Sequence, residues 1–200
     1  EGQKPVVEIS TSTGSKRLLF SSKGMKPDNE SFFKSNPQVS ISMRGNMGTT
    51  YKVYQAFEGG SVVSDTGEDF DLTKIRFASS GSQYGNLTQS GDLKLAKQKQ
   101  LLYISDTEGT ADNFVVSYKP EKDFRFQKAG TYRGRLNFII EKDLQGGAPE
   151  VIETLDVEIE ITPLFEMFVY TDGKEGVSLK FGEVSHKTGP KTSDVDVYVE

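Results

Sequence analysis

Four carboxylates in one short segment are the residues with the clearest potential for chemistry. Asp65, Glu68, Asp69 and Asp71 lie close together in a stretch typical of turns. Calcium takes about six to eight oxygen ligands, and carboxylates are common among them. The spacing is not that of an EF-hand, because the glycine at the sixth loop position and the glutamate at the twelfth are absent. We interpret the segment as a solvated acidic turn, with a calcium site as the alternative.

Tyrosine rings supply a second candidate site, because aromatic faces stack on the apolar faces of sugars. Tyr84 and Tyr103 are the ligand-binding candidates, and Tyr51 and Tyr54 extend the same candidate platform. Tyrosines of β-sandwiches more often pack with the ring inside and the hydroxyl at the rim. We therefore favour packing. A carbohydrate-binding module, with a glycan as its partner, is the alternative function.

The chain has few residues of the types that carry out catalysis. His186 is the only histidine and lies in a polar stretch, so we interpret it as a solvated loop residue. The chain has no cysteine, which excludes a disulfide, a thiolate zinc site and a cysteine nucleophile. A glycosidase needs a pair of converging carboxylates, whereas Asp106, Glu108 and Asp112 have the same solvated interpretation as the first acidic group. We predict a protein that is not an enzyme and has no cofactor.

Charge and hydropathy limit the partners further. The net charge is −5 and the pI about 5.1, which argues against non-specific binding of nucleic acid, since that requires a basic surface. No apolar run approaches the roughly 18–20 residues that span a bilayer, so we predict no membrane span. The start of the chain, Glu1 to Pro5, is typical of a processed or truncated N-terminus. Removal of an export signal is one explanation, and trimming of the sequence is the other.

The elements that must position these side chains are strands. Between Gly130 and Ile161, two arms alternate apolar and polar residues with period two, as expected of strands with one buried face. A loop containing Gly146, Gly147 and Pro149 separates them. The apolar face of the two arms comprises Tyr132, Leu136, Phe138, Ile140, Leu155, Val157, Ile159 and Ile161. The pattern predicts an antiparallel pair.

The polar faces of the two arms carry opposite charges, which suggests a register. Placing Leu136 opposite Val157 also places Arg135 opposite Glu158 and Arg133 opposite Glu160. Such cross-strand pairs contribute roughly 0.2–1 kcal/mol each. A neighbouring register that keeps the apolar faces aligned is the main competitor.

Similar alternation recurs along the chain and sets the fold class. Short strands are predicted around Val6–Ile9, Arg17–Phe20, Val39–Met43, residues 51–56, Leu72–Ala78 and Phe114–Tyr118. Leu93 to Ile104 fits either a short helix or two strands. Strands roughly every 10–15 residues, separated by turn residues, are typical of a sandwich or a barrel. We predict an all-β, antiparallel, immunoglobulin-like β-sandwich over residues 1–163.

Residues 164–200 form a separate C-terminal β segment in this interpretation. Leu179 to Phe181, a polar loop and Val195 to Val199 repeat the order of Leu18 to Phe20, a polar loop and Val39 to Met43. The segment would then be the start of a second similar domain. The alternatives are that it completes the first sandwich or forms a small hairpin.

Two motifs resemble those of exported bacterial β-sandwich domains. Leu179-Lys180-Phe181-Gly182-Glu183-Val184 is similar to a strand of spore-coat-U-like and fimbrial-type domains, and Ala129-Gly130-Thr131-Tyr132 is similar to a late strand of the same group. The first unit departs from the pattern with Leu19-Phe20-Ser21.

The resemblance implies a structural or adhesive module of a bacterial envelope. Such a module would be periplasmic, on the cell surface or secreted. It would act by contact with a protein partner or by self-association through β edges. The resemblance transfers no functional residue.

Overall fold

The computed structural model describes residues 5–24, 37–45, 48–80, 93–105, 112–142, 148–163, 167–168 and 178–179. The chain divides into two compact units, Glu1–Thr162 and Pro163–Glu200. In the second unit, Met167–Phe168 (β12) pairs antiparallel with Ser178–Leu179 (β13). Most of that unit lies outside the described residues, including His186 and the proposed repeat, so a second copy of the domain stays a prediction.

The first unit is built from strands joined by turns. Among the described residues there are three short 3₁₀ turns, at Glu58–Gly60, Leu72–Lys74 and Lys122–Phe126, and no α-helix. The strands are β1 Val6–Thr11, β2 Arg17–Ser21, β3 Gln38–Arg44, β4 Tyr51–Phe57, β5 Val63–Ser64, β6 Ile75–Ser79, β7 Leu93–Lys94, β8 Gln100–Ile104, β9 Asp112–Pro120, β10 Gly130–Lys142 and β11 Glu150–Ile161. The prediction of an all-β fold is confirmed.

Two sheets form the layers of a β-sandwich. One sheet has the strand order β1-β3-β9-β6-β7, and the other has the order β2-β11-β10-β4-β8, with β5 added beside β10. All the pairs are antiparallel except β2 with β11, which is parallel. The first twenty-one residues therefore supply one strand to each sheet.

The core lies between the sheets and follows from the period-two pattern. Inward residues of both sheets form one buried cluster, with Val39 and Val116 on one side and Leu136 and Phe138 on the other. One polar contact crosses this core: the hydroxyl of Tyr118 on β9 donates a hydrogen bond of 2.7 Å to Oε1 of Gln55 on β4. Burial raises the pKa of Tyr118 well above its usual value, so the phenol stays protonated as a donor.

Tyr132 fixes the start of β10. Its ring is buried, and its hydroxyl donates a hydrogen bond of 2.7 Å to the carbonyl of Lys128, four residues earlier. A tyrosine that bonds back to the preceding backbone is characteristic of corners in immunoglobulin-like sandwiches. The Ala-Gly-Thr-Tyr motif thus has a local structural role.

The predicted pairing of β10 with β11 is confirmed, but the predicted register is wrong by two residues. Leu136 lies opposite Leu155, Arg135 opposite Asp156 and Arg133 opposite Glu158. Because the acidic residues recur every second position, a slip of two residues preserves both the apolar face and the opposite charges. Neither the apolar pattern nor the charge pattern distinguishes these two registers. The observed one contains an irregularity between Phe138 and Ile139, which the sequence pattern did not indicate.

The ambiguous stretch from Leu93 to Ile104 forms two strands and not a helix. Gln100 closes the turn between them, because its side-chain amide donates 2.9 Å to the carbonyl of Lys94 and its Oε1 accepts 3.2 Å from the amide of Ala96. Leu95 and Leu102 are both buried in the core. This local hydrogen bonding competes with helix formation.

Candidate functional site

The acidic turn follows β5 at the surface, and its carboxylates face separate partners. Asp65 Oδ1 accepts a hydrogen bond of 2.9 Å from Arg133 Nη1. Glu68 Oε1 lies 2.6 Å from Lys128 Nζ. Each carboxylate is thus drawn toward its own cation, and the pKa of Lys128 is raised mainly by the hydrogen bond to Glu68.

The two remaining carboxylates of the turn are also engaged. Asp69 Oδ2 lies 2.7 Å from Lys97 Nζ. Asp71 caps the 3₁₀ turn that follows it, because its Oδ1 accepts from the amide of Thr73 at 3.1 Å and from the Thr73 hydroxyl at 2.6 Å. These bonds favour the ionised form, and the pKa of Asp71 is lowered chiefly by the Thr73 hydroxyl. Its role in the structure is that of a cap.

No metal-binding group emerges from the part of the chain that the structure describes. Within those ranges, no set of three or more His, Cys, Asp or Glu residues is arranged to hold an ion. Asp106 and Glu108 lie outside the described residues. The calcium site at Asp65, Glu68, Asp69 and Asp71 stays the untested alternative. The structure brings three of these side chains to different cations and Asp71 to Thr73.

The tyrosine candidates separate into core and surface. Tyr103 is only 3% exposed, and its ring stacks on Phe114 with centroids 4.4 Å apart and planes 9° apart. Tyr54 is half-buried, with the ammonium of Lys99 at 4.2 Å from its ring centroid. Tyr84 lies outside the described residues. Tyr103 has the packed position favoured for sandwich tyrosines, and the carbohydrate platform stays a prediction.

A shallow cleft of about 430 Å³ opens beside the acidic turn, between residues 69–73 and 95–98. Its lining includes three buried core residues, Phe70, Leu72 and Leu95. The Asp69–Lys97 ion pair also lines it. The cleft is therefore an apolar depression whose charged groups include a pair already bound to each other.

The outer face of the six-stranded sheet carries a network of ion pairs. Glu158 on β11 lies 2.9 Å from Arg17 on β2 and 3.8 Å from Arg133 on β10. Arg133 in turn reaches Asp65. The charges that the sequence placed on the wet faces are thus largely neutralised by neighbours on the same sheet.

The ends of the two sheets are the features that sequence reasoning did not locate. β1 and β7 terminate one sheet, and β2 and β8 terminate the other. Within the described residues, β1, β2 and β7 are each paired with a neighbouring strand on one side, and the other side of such a strand is the ordinary template for strand addition. Alternation along a strand reveals its faces but not its neighbours, so the sequence carried no direct signal for which strands lie at an edge.

Comparison with known proteins relates the chain to other β-sandwiches at low similarity. No family model and no curated protein matches the sequence. The structure is similar to the CooA pilin subunit of enterotoxigenic Escherichia coli, with 11% identity and a TM-score of 0.41, over 78% of this chain and 99% of that one. It is also similar to PapD-like domain 7 of human CEP192, with 11% identity and a TM-score of 0.38, over 80% and 87% of the two chains.

A third similar structure is a family 123 glycoside hydrolase from Clostridium perfringens. The identity is 9% and the TM-score 0.41, over 82% of this chain and 28% of that one. The three proteins differ in kind, and TM-scores this low transfer no activity or partner. Among the described residues, no helix has the length and hydropathy needed to cross a bilayer.

Proposed function

We propose that this chain is a structural or adhesive module, exported by a bacterium, that acts by contact between its open strand edges and another protein. The observation that supports the proposal is the arrangement of the sandwich: among the described residues, β1 and β7 in one sheet and β2 in the other are each paired with a single neighbouring strand. Backbone groups at such an edge bind an extended segment, and the adjoining side chains give specificity.

The distribution of charge supports contact at the edges more than contact on the sheet faces. Arg133, Lys128 and Lys97 are each held by a carboxylate of the acidic turn. Surface ion pairs of this kind add little to stability, but they keep a face solvated. The strand edges retain backbone groups for a partner.

Location at the bacterial surface, in the periplasm or in the medium belongs to the same proposal. It is supported by the resemblance of the Leu179–Val184 and Ala129–Tyr132 motifs to exported sandwich domains. Fractionation of the source cells, followed by detection with an antibody to the chain, tests it. Recovery with the cytosolic markers contradicts export.

Binding of an extended peptide tests the proposed mode of contact. Labelled peptides covering residues 1–12 and 190–200 are titrated with the full chain, and fluorescence anisotropy measures binding. We expect saturable binding of at least one peptide, and no binding of peptides with the same composition in scrambled order. If neither native peptide binds and the chain does not self-associate when concentrated, the proposed mode is wrong.

A further inference from the structure

The outer edge of β1 has a hydrogen-bonding pattern that fits a second copy of the same strand. We propose that two copies of this chain pair through β1 in an antiparallel arrangement centred on Ile9. The pairing would join two five-stranded sheets into one continuous sheet. This inference rests on the proposed function and names the edge and the partner.

The backbone groups that point outward from β1 follow from two hydrogen bonds. The amide of Ser12 donates 3.3 Å to the carbonyl of Gln38, and the amide of Tyr118 donates 3.0 Å to the carbonyl of Pro37. In antiparallel pairs, hydrogen-bonded positions alternate. Both bonds therefore indicate that the backbone amides and carbonyls of the even-numbered residues of β1 point toward β3. The amides of Val7, Ile9 and Thr11 then point to the outer edge.

β1 forms the longest uninterrupted edge of the four. It pairs with β3 over six residues without a bulge, from Val6 opposite Arg44 to Thr11 opposite Val39, and Glu8 is its only charged residue. β7 has two residues, β2 begins with Arg17, and the pairing of β8 is interrupted by a bulge. Short strands, charges and bulges are the usual protection against strand addition.

One register satisfies the outward-facing groups of both copies. With Ile9 opposite Ile9, Val7 faces Thr11 and Glu8 faces Ser10. Each odd-numbered pair then exchanges its hydrogen bonds. Thr11 also keeps the bond that its carbonyl accepts from Gly14 at 3.0 Å, since a carbonyl oxygen accepts two.

The neighbouring register is less favourable for two reasons. Moving the centre to Glu8 places the two Glu8 carboxylates opposite each other, and like charges at such positions are destabilising. It also places Pro5 opposite Thr11, and proline has no amide to donate. The register centred on Ile9 avoids both conflicts.

The side chains of β1 also match this arrangement. Val7 and Ile9 are partly buried and pack against the core, whereas Glu8 and Ser10 are exposed on the other face. An Ile9–Ile9 contact would extend the apolar layer from one copy to the other. The remaining exposed area of these side chains would then be removed from water.

Disulfide trapping tests the register, because the chain has no cysteine of its own. The full-length variants Glu8→Cys and Ser10→Cys are mixed and mildly oxidised. In the proposed register these residues form a non-hydrogen-bonded pair about 4.5 Å apart at Cα, which is within the range for a disulfide. We expect rapid cross-linking of the mixture and little of either variant alone. Rapid homodimerisation of Glu8→Cys indicates the register centred on Glu8 and overturns the proposed one.

Charge substitutions at exposed Ser10 provide a second test that leaves the fold intact. Ser10→Glu places two like-charged pairs in the dimer, and Ser10→Lys places two opposite-charged pairs. Sedimentation equilibrium should show the dissociation constant rising about twofold to thirtyfold for the first and falling by a similar factor for the second. Equal shifts in the same direction overturn the proposed register.

Self-association of the unmodified chain decides between this inference and the broader function. A concentration-dependent monomer–dimer equilibrium is expected in the same sedimentation experiment. If the chain remains a monomer when concentrated and still binds one of the two peptides, the β1 dimer is wrong and the interaction module stands. If it remains a monomer and binds neither peptide, both proposals fall.

Discussion

Strands β10 and β1 share the same alternation of apolar and polar residues but occupy different positions in the sandwich. β10 lies between β11 on one side and β4 and β5 on the other. Within the described residues, β1 pairs with β3 on one side only. Leu136 of β10 is fully buried, whereas Val7 and Ile9, on the inward face of β1, are only partly buried.

The different burial of β10 and β1 shows that the pattern of a strand and its position in the sheet have separate effects. Alternation decides which face of a strand is apolar, and the number of neighbours decides how much of that face leaves water. Substitutions in β10 should therefore act mainly on the free energy of unfolding. Substitutions on the outer side of β1 should act mainly on association.

The largest expected effect is that of Leu136→Ala. Truncating this buried side chain should lower the free energy of unfolding by about 2–5 kcal/mol, because apolar contacts are lost and a cavity remains. Val7→Ala, at an inward-facing but only partly buried position of β1, is the control at the edge and should lower it by about 1 kcal/mol or less. Urea denaturation measures both. Similar losses at the two positions contradict the distinction between centre and edge.

Tyr118→Phe should have the next largest effect, because it removes the hydrogen bond that links the two sheets. The side-chain carbonyl of Gln55 is then buried without its hydrogen-bond donor, at a cost of about 1–3 kcal/mol. The double variant Tyr118→Phe/Gln55→Leu should recover part of this loss, because no polar group remains unpaired. Denaturation of the two single variants and the double variant measures the coupling. If the losses of the two single variants simply add in the double variant, the hydrogen bond does not contribute to stability.

Gly134→Ala should destabilise the centre of β10 by crowding. A Cβ at this position would lie 2.8 Å from Cγ2 of Val62 and 3.1 Å from the carbonyl of Ser61. Overpacking of this kind costs about 1–3 kcal/mol. Val62→Ala removes the nearest atom, so the double variant should lose less stability than the sum of the single variants. Urea midpoints distinguish these outcomes, and a neutral Gly134→Ala contradicts the close approach.

Acidification should have the smallest of these effects, at the exposed turn. The folded pKa of Asp71 lies below its ordinary value of 3.8, chiefly because of the Thr73 hydroxyl. Its contribution is fully present above 3.8 and is lost as the pH falls through the lowered folded value. Asp71→Asn should therefore show a smaller loss of stability than the unmodified chain in this acidic window. Thermal denaturation at several pH values measures the difference, and parallel losses contradict the role of Asp71.

Alternation predicted most of the strands, but the only pairing that it predicted was that of β10 with β11. Val39–Met43 and Phe114–Tyr118 were found from the pattern, and they lie side by side as β3 and β9. The parallel pairing of β2 with β11 was not predicted, because it joins segments from opposite ends of the unit. Period two also leaves the β10–β11 register undetermined in steps of two residues.

The contacts of the candidate site were harder to predict from the sequence, for a related reason. The acidic residues were visible as a cluster, but their cations come from distant segments. Asp65 meets Arg133 and Glu68 meets Lys128, each more than fifty residues further along the chain. Local spacing cannot indicate such partners, which are set by the position of β10 beside β5.

The parallel pairing of β2 with β11 affects how the unit would respond to mechanical force. β2 lies near the start of the unit and β11 at its end, and their register runs from Arg17 opposite Asp156 to Ser21 opposite Glu160. Traction applied to β2 from its N-terminal side and to β11 from its C-terminal side would slide the strands past each other. All of their interstrand hydrogen bonds would then resist together, whereas an antiparallel pair pulled in this way would unzip bond by bond. Shear resistance of this kind is the property that the proposed surface module would need under tension.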